Sequence, residues 1–146
     1  MDKLVVTFLI QIVTSFSMLG IIWFIQLIHY PLLNKIKEGL SQYEKAHLIR
    51  AAYFIGPLLV VDLIASIFLV SFEVRSTLIR LATCNLILNI FYWIWTFLFQ
   101  IQHHQKLTVG FSKLTIRKLV INNWMRTFLW TVKSAALIWM IFIHSK

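Results

Sequence analysis

The sequence has few charged residues, too few for a soluble surface. Only 13% of its 146 residues are Asp, Glu, Lys or Arg, about half the share typical of soluble domains. With 60% hydrophobic residues and a mean hydropathy of +0.81, a soluble domain of this size would expose a largely apolar surface. A disordered chain is excluded for the opposite reason, because there is too much apolar surface to bury. The composition therefore predicts an integral membrane protein.

Acidic residues and cysteine are also scarce. Five acidic residues stand against fourteen Lys and Arg, and the resulting net charge of +9 would suggest nucleic-acid binding in a soluble protein. Most of these cations flank apolar segments, where they anchor a chain to lipid headgroups, so we expect the lipid bilayer as the partner and no nucleic acid. The single cysteine, Cys84, excludes an intrachain disulfide and a dithiol exchange mechanism.

Four apolar stretches are long enough to cross a bilayer core, which needs about 20 helical residues. They cover residues 4–28, 51–72, 81–101 and 119–143. The predicted fold class is all-α, a transmembrane four-helix bundle that forms a single domain over residues 1–146. The break at Pro31 and the tract of residues 34–47, with Leu40, Tyr43 and His47 on one face, predict a short interfacial helix between the first two spans.

Positive charge is concentrated on one side of these spans. The connections after the first and third spans contain eight Lys and Arg: Lys35, Lys37, Lys45, Arg50, Lys106, Lys113, Arg117 and Lys118. The opposite side has four: Lys3, Arg75, Arg80 and Lys146. By the positive-inside rule, we expect both long loops in the cytoplasm and both termini outside.

Each predicted span carries polar residues on one helical face. A polar group facing lipid would cost several kcal/mol, so these faces are expected to point into the bundle. Asp62 is the only carboxylate within a span and Lys133 the only mid-span lysine, and their depths differ by about one turn. We therefore predict a buried ion pair, with Asn89 nearby. The pair either fixes helix register alone or also serves a ligand or a proton.

A second polar group lies at the predicted cytoplasmic edge. The candidate ligand- or cofactor-binding residues are His29, Tyr30, Glu44, His47, Arg50, His103, His104, Asn123, Arg126 and Trp130. Histidines suit proton transfer and metal or haem ligation, which makes His29, His47 and His104 candidate metal ligands, although their spacing matches no local metal motif. The alternative is that these side chains only reach towards lipid headgroups. Trp130 either stacks on Arg126 or a flat ligand, or packs in the interior.

Several segments together resemble a known family. WFIQLIHYPLL (residues 23–33), YEKAHLIR (43–50), GPLLVVDL (56–63) and LVINNWMRTFLWTVK (119–133) resemble a widespread bacterial family of four-span membrane proteins of unknown function. The resemblance covers nearly the whole chain and implies a bacterial inner-membrane protein. Asp62 falls on what looks like a Glu position of the family and Lys133 on an Arg position, so both substitutions keep the charge.

The segment HHQKLTVGF (residues 103–111) is similar to a family segment with a Pro, a His and a downstream Leu and Gly. His104 falls on that histidine, and Gln102 replaces the proline. Helical phase instead selects His103 for the polar face of the third span. More distantly, the layout is similar to the anthrone-oxygenase-like membrane proteins, which also have a Trp and an Arg on the last span.

Three functions remain open on this basis. An enzyme or cofactor protein would bind or transform a lipophilic small molecule at the cytoplasmic leaflet, with haem, a quinone or a metal ion as the candidate cofactor. A small transporter would open the pair of Asp62 and Lys133 to its substrate or to a proton. An accessory or structural subunit would use its polar faces only to specify the bundle.

Overall fold

A computed structural model describes residues 3–36, 38–72 and 76–144, and every regular element in these ranges is a helix. Four of the helices are long and apolar enough to cross a membrane. The predicted all-α bundle of four spans is therefore confirmed. Lys37, Arg75 and Lys146, which contribute to the charge count above, lie outside the described residues.

We label the four helices α1 to α4. Helix α1 comprises an α-helical part, Lys3–Phe24, a π-helical turn, Ile25–His29, and a last α-helical turn, Tyr30–Leu33. Helix α2 is Leu40–Phe72. Helix α3 comprises Ser76–Trp95, a second π-helical turn, Thr96–Gln100, and Ile101–Leu107. Helix α4 is Lys113–His144.

The start of α2 differs from the sequence expectation. Residues 40–47, predicted as part of a separate interfacial helix, form the first two turns of α2 itself. Gly39, with a φ of +74°, lets the chain reverse directly before this helix, and its carbonyl accepts the first helical hydrogen bond, from Tyr43. Leu40 and Glu44 are buried. Of the predicted face, Leu40 packs against the bundle, whereas His47 is half-buried and Tyr43 is exposed.

The helices form an up-and-down bundle in which α1 and α3 each pack against α2 and α4. We call the end that carries the 34–39 and 108–112 connections the histidine end, because His29, His47 and His104 lie there. Large apolar side chains such as Val13, Ile87 and Phe128 are more than half exposed on the outer surface. In a membrane protein this surface faces lipid.

The two π-helical turns change which residues face inward. Each adds one residue to its turn, so every later residue is rotated by about 100° relative to an uninterrupted α-helix. In α1 this rotation buries Tyr30 and leaves His29 half-buried, and in α3 it buries His104 and leaves His103 half-buried. Pro31 follows the first π turn, where a wider turn relieves the clash between a proline ring and the preceding carbonyls.

Candidate functional site

The buried ion pair that the sequence predicts is present in the middle of the bundle. Lys133 Nζ of α4 lies 2.7 Å from Asp62 Oδ2 of α2, and both side chains are almost completely inaccessible to solvent. Asn89 of α3 lies beside the pair, as predicted, and donates to the same carboxylate oxygen at 2.7 Å. The pair thus links three of the four helices.

Helix α1 contributes the remaining hydrogen bonds to this carboxylate. Asp62 Oδ1 accepts from Gln11 Nε2, Thr14 Oγ1 and Ser15 Oγ at distances of 2.8, 2.9 and 2.8 Å. The carboxylate therefore has five hydrogen-bond donors, which saturate the lone pairs of both oxygens. Lys133 Nζ also donates to Ser15 Oγ at 2.8 Å. We call this arrangement the Asp62 hub.

Trp130 packs in the interior, and its cationic partner is not the one that helical spacing suggests. Lys133 Nζ lies 4.6 Å from the centroid of the Trp130 ring, which also meets Tyr92 edge-on at 5.3 Å. Arg126 instead lies over the ring of Tyr92, with Cζ 5.1 Å from its centroid, and donates to the Tyr92 hydroxyl at 2.6 Å. The Arg126 guanidinium therefore binds Tyr92 of α3 and not Trp130 of its own helix.

A second polar cluster occupies the histidine end. His104 Nδ1 of α3 lies 2.8 Å from Glu44 Oε2 of α2, and His104 Nε2 lies 3.0 Å from the hydroxyl of Tyr30 in α1. Gln100 donates a further hydrogen bond to that hydroxyl. Glu44 is completely buried and Tyr30 nearly so. Three helices therefore meet in a chain of hydrogen bonds from a carboxylate through an imidazole to a phenol.

Aromatic contacts bring the other two histidine-end candidates against this chain. The His47 ring stacks on His29 with 4.6 Å between centroids and lies 5.3 Å from the ring of His104. Tyr43 contacts both rings, with its ring centroid 6.0 Å from that of His47 and its hydroxyl 3.5 Å from His29 Nδ1. The sequence candidates His29, Tyr30, His47 and His104 are thus brought together.

Two candidates lie apart from this cluster. The selection of His103 by helical phase is wrong, because the π turn at Thr96–Gln100 rotates it away and its Nδ1 hydrogen-bonds Phe99 O of its own helix. Arg50 is exposed and lines a groove between α1 and α2. His104, which the family resemblance selects, is the buried one of the two histidines and contacts Glu44 and Tyr30.

The metal interpretation finds no support in the geometry. Among the described residues, no group of three or more His, Cys, Asp or Glu side chains is arranged to hold a metal ion. Both ring nitrogens of His104 are engaged, by Glu44 and Tyr30, so it offers no free nitrogen to a metal shared with His29 and His47.

Arg126 and Asn123 of α4 lie deeper than the histidine cluster, towards the middle of the bundle. Arg126 Nη1 donates to Asn123 Oδ1 at 3.0 Å, and Asn123 Nδ2 donates to Gln26 Oε1 of α1 at 2.7 Å. Arg126 is only 6% exposed, so a full positive charge lies inside the bundle. Its surroundings contain polar side chains and an aromatic face, but no carboxylate is paired with it in the described part of the chain.

A cavity of about 300 Å³ is lined by this arginine together with residues of the histidine cluster. Its polar lining consists of Tyr30, His47, Thr96, Gln100, His104 and Arg126. Its apolar wall is made mainly by Ile25, Ile55, Leu59, Trp93, Phe97 and Ile101, with small residues at positions 51, 52 and 56. Ala52 and Phe97 are exposed on the outer surface. The cavity therefore opens between α2 and α3, on the face that meets lipid.

Four polar atoms of cavity-lining residues lack a partner within the described ranges. They are Arg126 Nε, Trp93 Nε1, Thr96 Oγ1 and Gln100 Oε1. Buried polar atoms are normally hydrogen-bonded, and leaving one unpaired costs about 1–3 kcal/mol. Such a group of unpaired donors and acceptors beside an apolar cavity is typical of a ligand site.

Sequence reasoning did not identify the small residues that make room for this cavity. Ala52 and Gly56 lie one helical turn apart on α2, and a Cβ atom built on Gly56 would meet no other atom within 4 Å. The spacing of these two residues could have indicated a gap beside α2. Two small residues one turn apart leave room for close approach to a membrane helix.

Comparisons of the chain with protein-family models, with curated proteins and with solved structures found no significant match.

Proposed function

We propose that this protein binds a small lipophilic molecule with an oxygen-bearing ring, of the quinone and quinol class, in the cavity between α2 and α3. The observation that carries the proposal is the group of four unpaired polar atoms on residues lining an otherwise apolar cavity. A volume of about 300 Å³ lies at the lower limit for small-molecule sites and suits one or two fused rings.

The chemistry of the unpaired atoms matches this ligand class. The N–H groups of Arg126 and Trp93 donate to carbonyl or oxyanion oxygens, Gln100 Oε1 accepts from a hydroxyl, and the Thr96 hydroxyl can do either. The apolar wall would enclose the ring and the start of a hydrocarbon tail. Haem suits the site less well, because a porphyrin ring is too large for a cavity of about 300 Å³.

The Asp62 hub supports a structural role over a transport role. A carboxylate with five donors is held in one position by side chains from the other three helices. Opening the pair for a substrate or a proton would break several of these bonds together. We therefore propose that the hub fixes the order and register of the helices, and that ligand binding belongs to the histidine end.

The proposed setting is a bacterial inner membrane, with the histidine end in the cytoplasm and both termini outside. The excess of Lys and Arg at the histidine end over the opposite end supports this orientation. The resemblance of the segments around Tyr30, His47 and Arg126 to the four-span bacterial family supports the location. A ligand from the cytoplasmic leaflet would then enter sideways, between α2 and α3.

Substitution of Gly56 by leucine tests the proposal, because it would fill the cavity mouth without a backbone clash. A short-chain quinone added to the protein in lipid nanodiscs should raise the midpoint of thermal unfolding of the wild type in a saturable manner. Gly56→Leu should weaken binding at least tenfold. Gly20→Leu is the matched control, since Gly20 is equally open but lies outside the cavity.

A second arm tests the polar contacts. Thr96→Val keeps the shape of the side chain and removes its hydroxyl, which should weaken quinone binding about threefold to tenfold. Thr83→Val, on the exposed face of the same helix, should leave binding unchanged. Equal quinone affinity in Gly56→Leu and the wild type, or quinone stabilisation that never saturates, would refute the proposed site.

A further inference from the structure

We infer that Glu44, His104 and Tyr30 form a proton relay that ends at the cavity, and that the ligand is a ring whose hydroxyl ionises on binding. This inference rests on the proposed function and narrows its ligand class from quinones and quinols in general to those that carry an ionisable hydroxyl, the quinols and hydroxyquinones. Its basis is the order of three hydrogen-bonded groups on three helices.

In the proposed relay, the Glu44 carboxylate is the acceptor of its bond to His104. An ionised carboxylate only accepts, so the bond between Glu44 Oε2 and His104 Nδ1 places a proton on Nδ1. His104 Nε2 is then the acceptor, and the Tyr30 hydroxyl 3.0 Å away is its donor. A carboxylate behind an imidazole that faces a hydroxyl is the arrangement by which serine hydrolases make a hydroxyl transfer its proton.

Burial ensures that this relay reaches the ligand and not bulk water. Glu44 is completely buried, and His104 is its ion-pair partner within the described residues. Tyr30 and His104 line the cavity, whereas Glu44 lies behind them. The other titratable groups that face His104 are His47 of α2 and Tyr30 and His29 of α1, and Arg126 of α4 lies beside Tyr30.

The proposed step is a balanced transfer of protons with no change of oxidation state. The ligand O–H bond breaks as its proton passes to the Tyr30 oxygen. The O–H bond of Tyr30 breaks in turn as its original proton passes to His104 Nε2. The products are a ligand oxyanion, a neutral tyrosine and an imidazolium that is paired with Glu44.

Arg126 supplies the charge that such an oxyanion needs. Its Nε has no hydrogen-bond partner in the described ranges, and the residue lines the same cavity as Tyr30 and His104. A guanidinium held without a carboxylate in a poorly solvated site strongly favours an anion beside it. The cavity thus offers a proton acceptor and a cation to the same hydroxyl oxygen.

The test uses an alkylated 4-nitrophenol, which is coloured only when ionised, and its O-methyl ether, which cannot ionise. At a pH about one unit below the half-ionisation point of the free probe, the wild type should bind the phenol almost entirely in its ionised form. Tyr30→Phe should still bind both probes, but the ionised fraction of the bound phenol should fall roughly tenfold. Tyr43→Phe, a tyrosine of the same cluster outside the relay, should behave as the wild type.

The possible outcomes separate the relay from the proposed binding site. Binding of the ether together with a colourless bound phenol would overturn the relay and leave the site intact. Failure of both probes to bind would overturn the site and the relay together. An unchanged ionised fraction in Tyr30→Phe would also overturn the relay. His104→Gln provides a second variant if Tyr30→Phe fails to fold, and the relay predicts the same loss of ionisation.

Discussion

Breaking the pair of Asp62 and Lys133 should have an asymmetric effect on stability. Asp62→Asn leaves the Lys133 ammonium with Ser15 Oγ and the face of Trp130, and without a charged partner. Lys133→Met leaves the Asp62 carboxylate with four neutral donors. The stranded ammonium is therefore less well compensated than the stranded carboxylate, and we expect Asp62→Asn to be the more damaging substitution.

The contacts allow the two losses to be ranked in magnitude. Removing one partner of a buried ion pair typically costs about 3–5 kcal/mol, and Asp62→Asn should lie at the upper end of that range. For Lys133→Met the four remaining donors should reduce the loss to about 1–3 kcal/mol. The double variant has no buried charge in the hub, so its free energy of unfolding should exceed that of Asp62→Asn by about 2 kcal/mol or more.

Unfolding of the wild type, both single variants and the double variant should be followed by circular dichroism in one detergent. Lys113→Met is the control, because it removes an exposed lysine from the start of α4 and should leave the free energy of unfolding unchanged. Losses that simply add in the double variant would refute the coupling. A larger loss for Lys133→Met than for Asp62→Asn would refute the ranking, and with it the importance of the four neutral donors.

The proposed orientation and the selection of His104 can be tested with single substitutions. In a Cys84→Ser background, a cysteine at Lys113 should resist an impermeant thiol reagent in intact cells and one at Lys3 should react; the opposite pattern would mean that the protein is inverted. His104→Ala should lower the free energy of unfolding by about 1–3 kcal/mol, because it leaves the buried Glu44 unpaired, whereas His103→Ala should change it by less than about 0.5 kcal/mol. Similar losses from the two histidine variants, measured in the same detergent, would contradict the inward rotation of His104.

The fold could be predicted from hydropathy averaged over long segments. The hub could be predicted from two charged residues of types that are rare within those segments. Hydropathy over about 20 residues identifies a span whatever its internal details. Asp62 is the only carboxylate within a predicted span and Lys133 the only mid-span lysine, which is why the sequence indicates their pairing. Their depths could be counted from the span ends with an error smaller than the reach of a lysine side chain.

The histidine end was predictable only in part, because its geometry depends on two single-residue insertions. A strict period of 100° per residue places His29 and His103 inward, and it fails at the π turns that begin at Ile25 and Thr96. Neither segment carries a sequence pattern that distinguishes it from ordinary α-helix. The cavity was missed for a related reason, since it exists where small residues of α2 fail to fill the space beside α3.

The position of Asp62 along the chain has a consequence for the insertion of the protein into the membrane. Gln11, Thr14 and Ser15 all precede it, so α1 already holds three hydrogen-bond donors when α2 brings the carboxylate into the bilayer. Helix α3 then adds the amide of Asn89. Lys133 arrives last, at an Asp62 carboxylate that already has hydrogen-bond donors from α1 and α3. Asp62 therefore precedes its charged partner by two helices, but three neutral donors of α1 are already available to its carboxylate in the meantime.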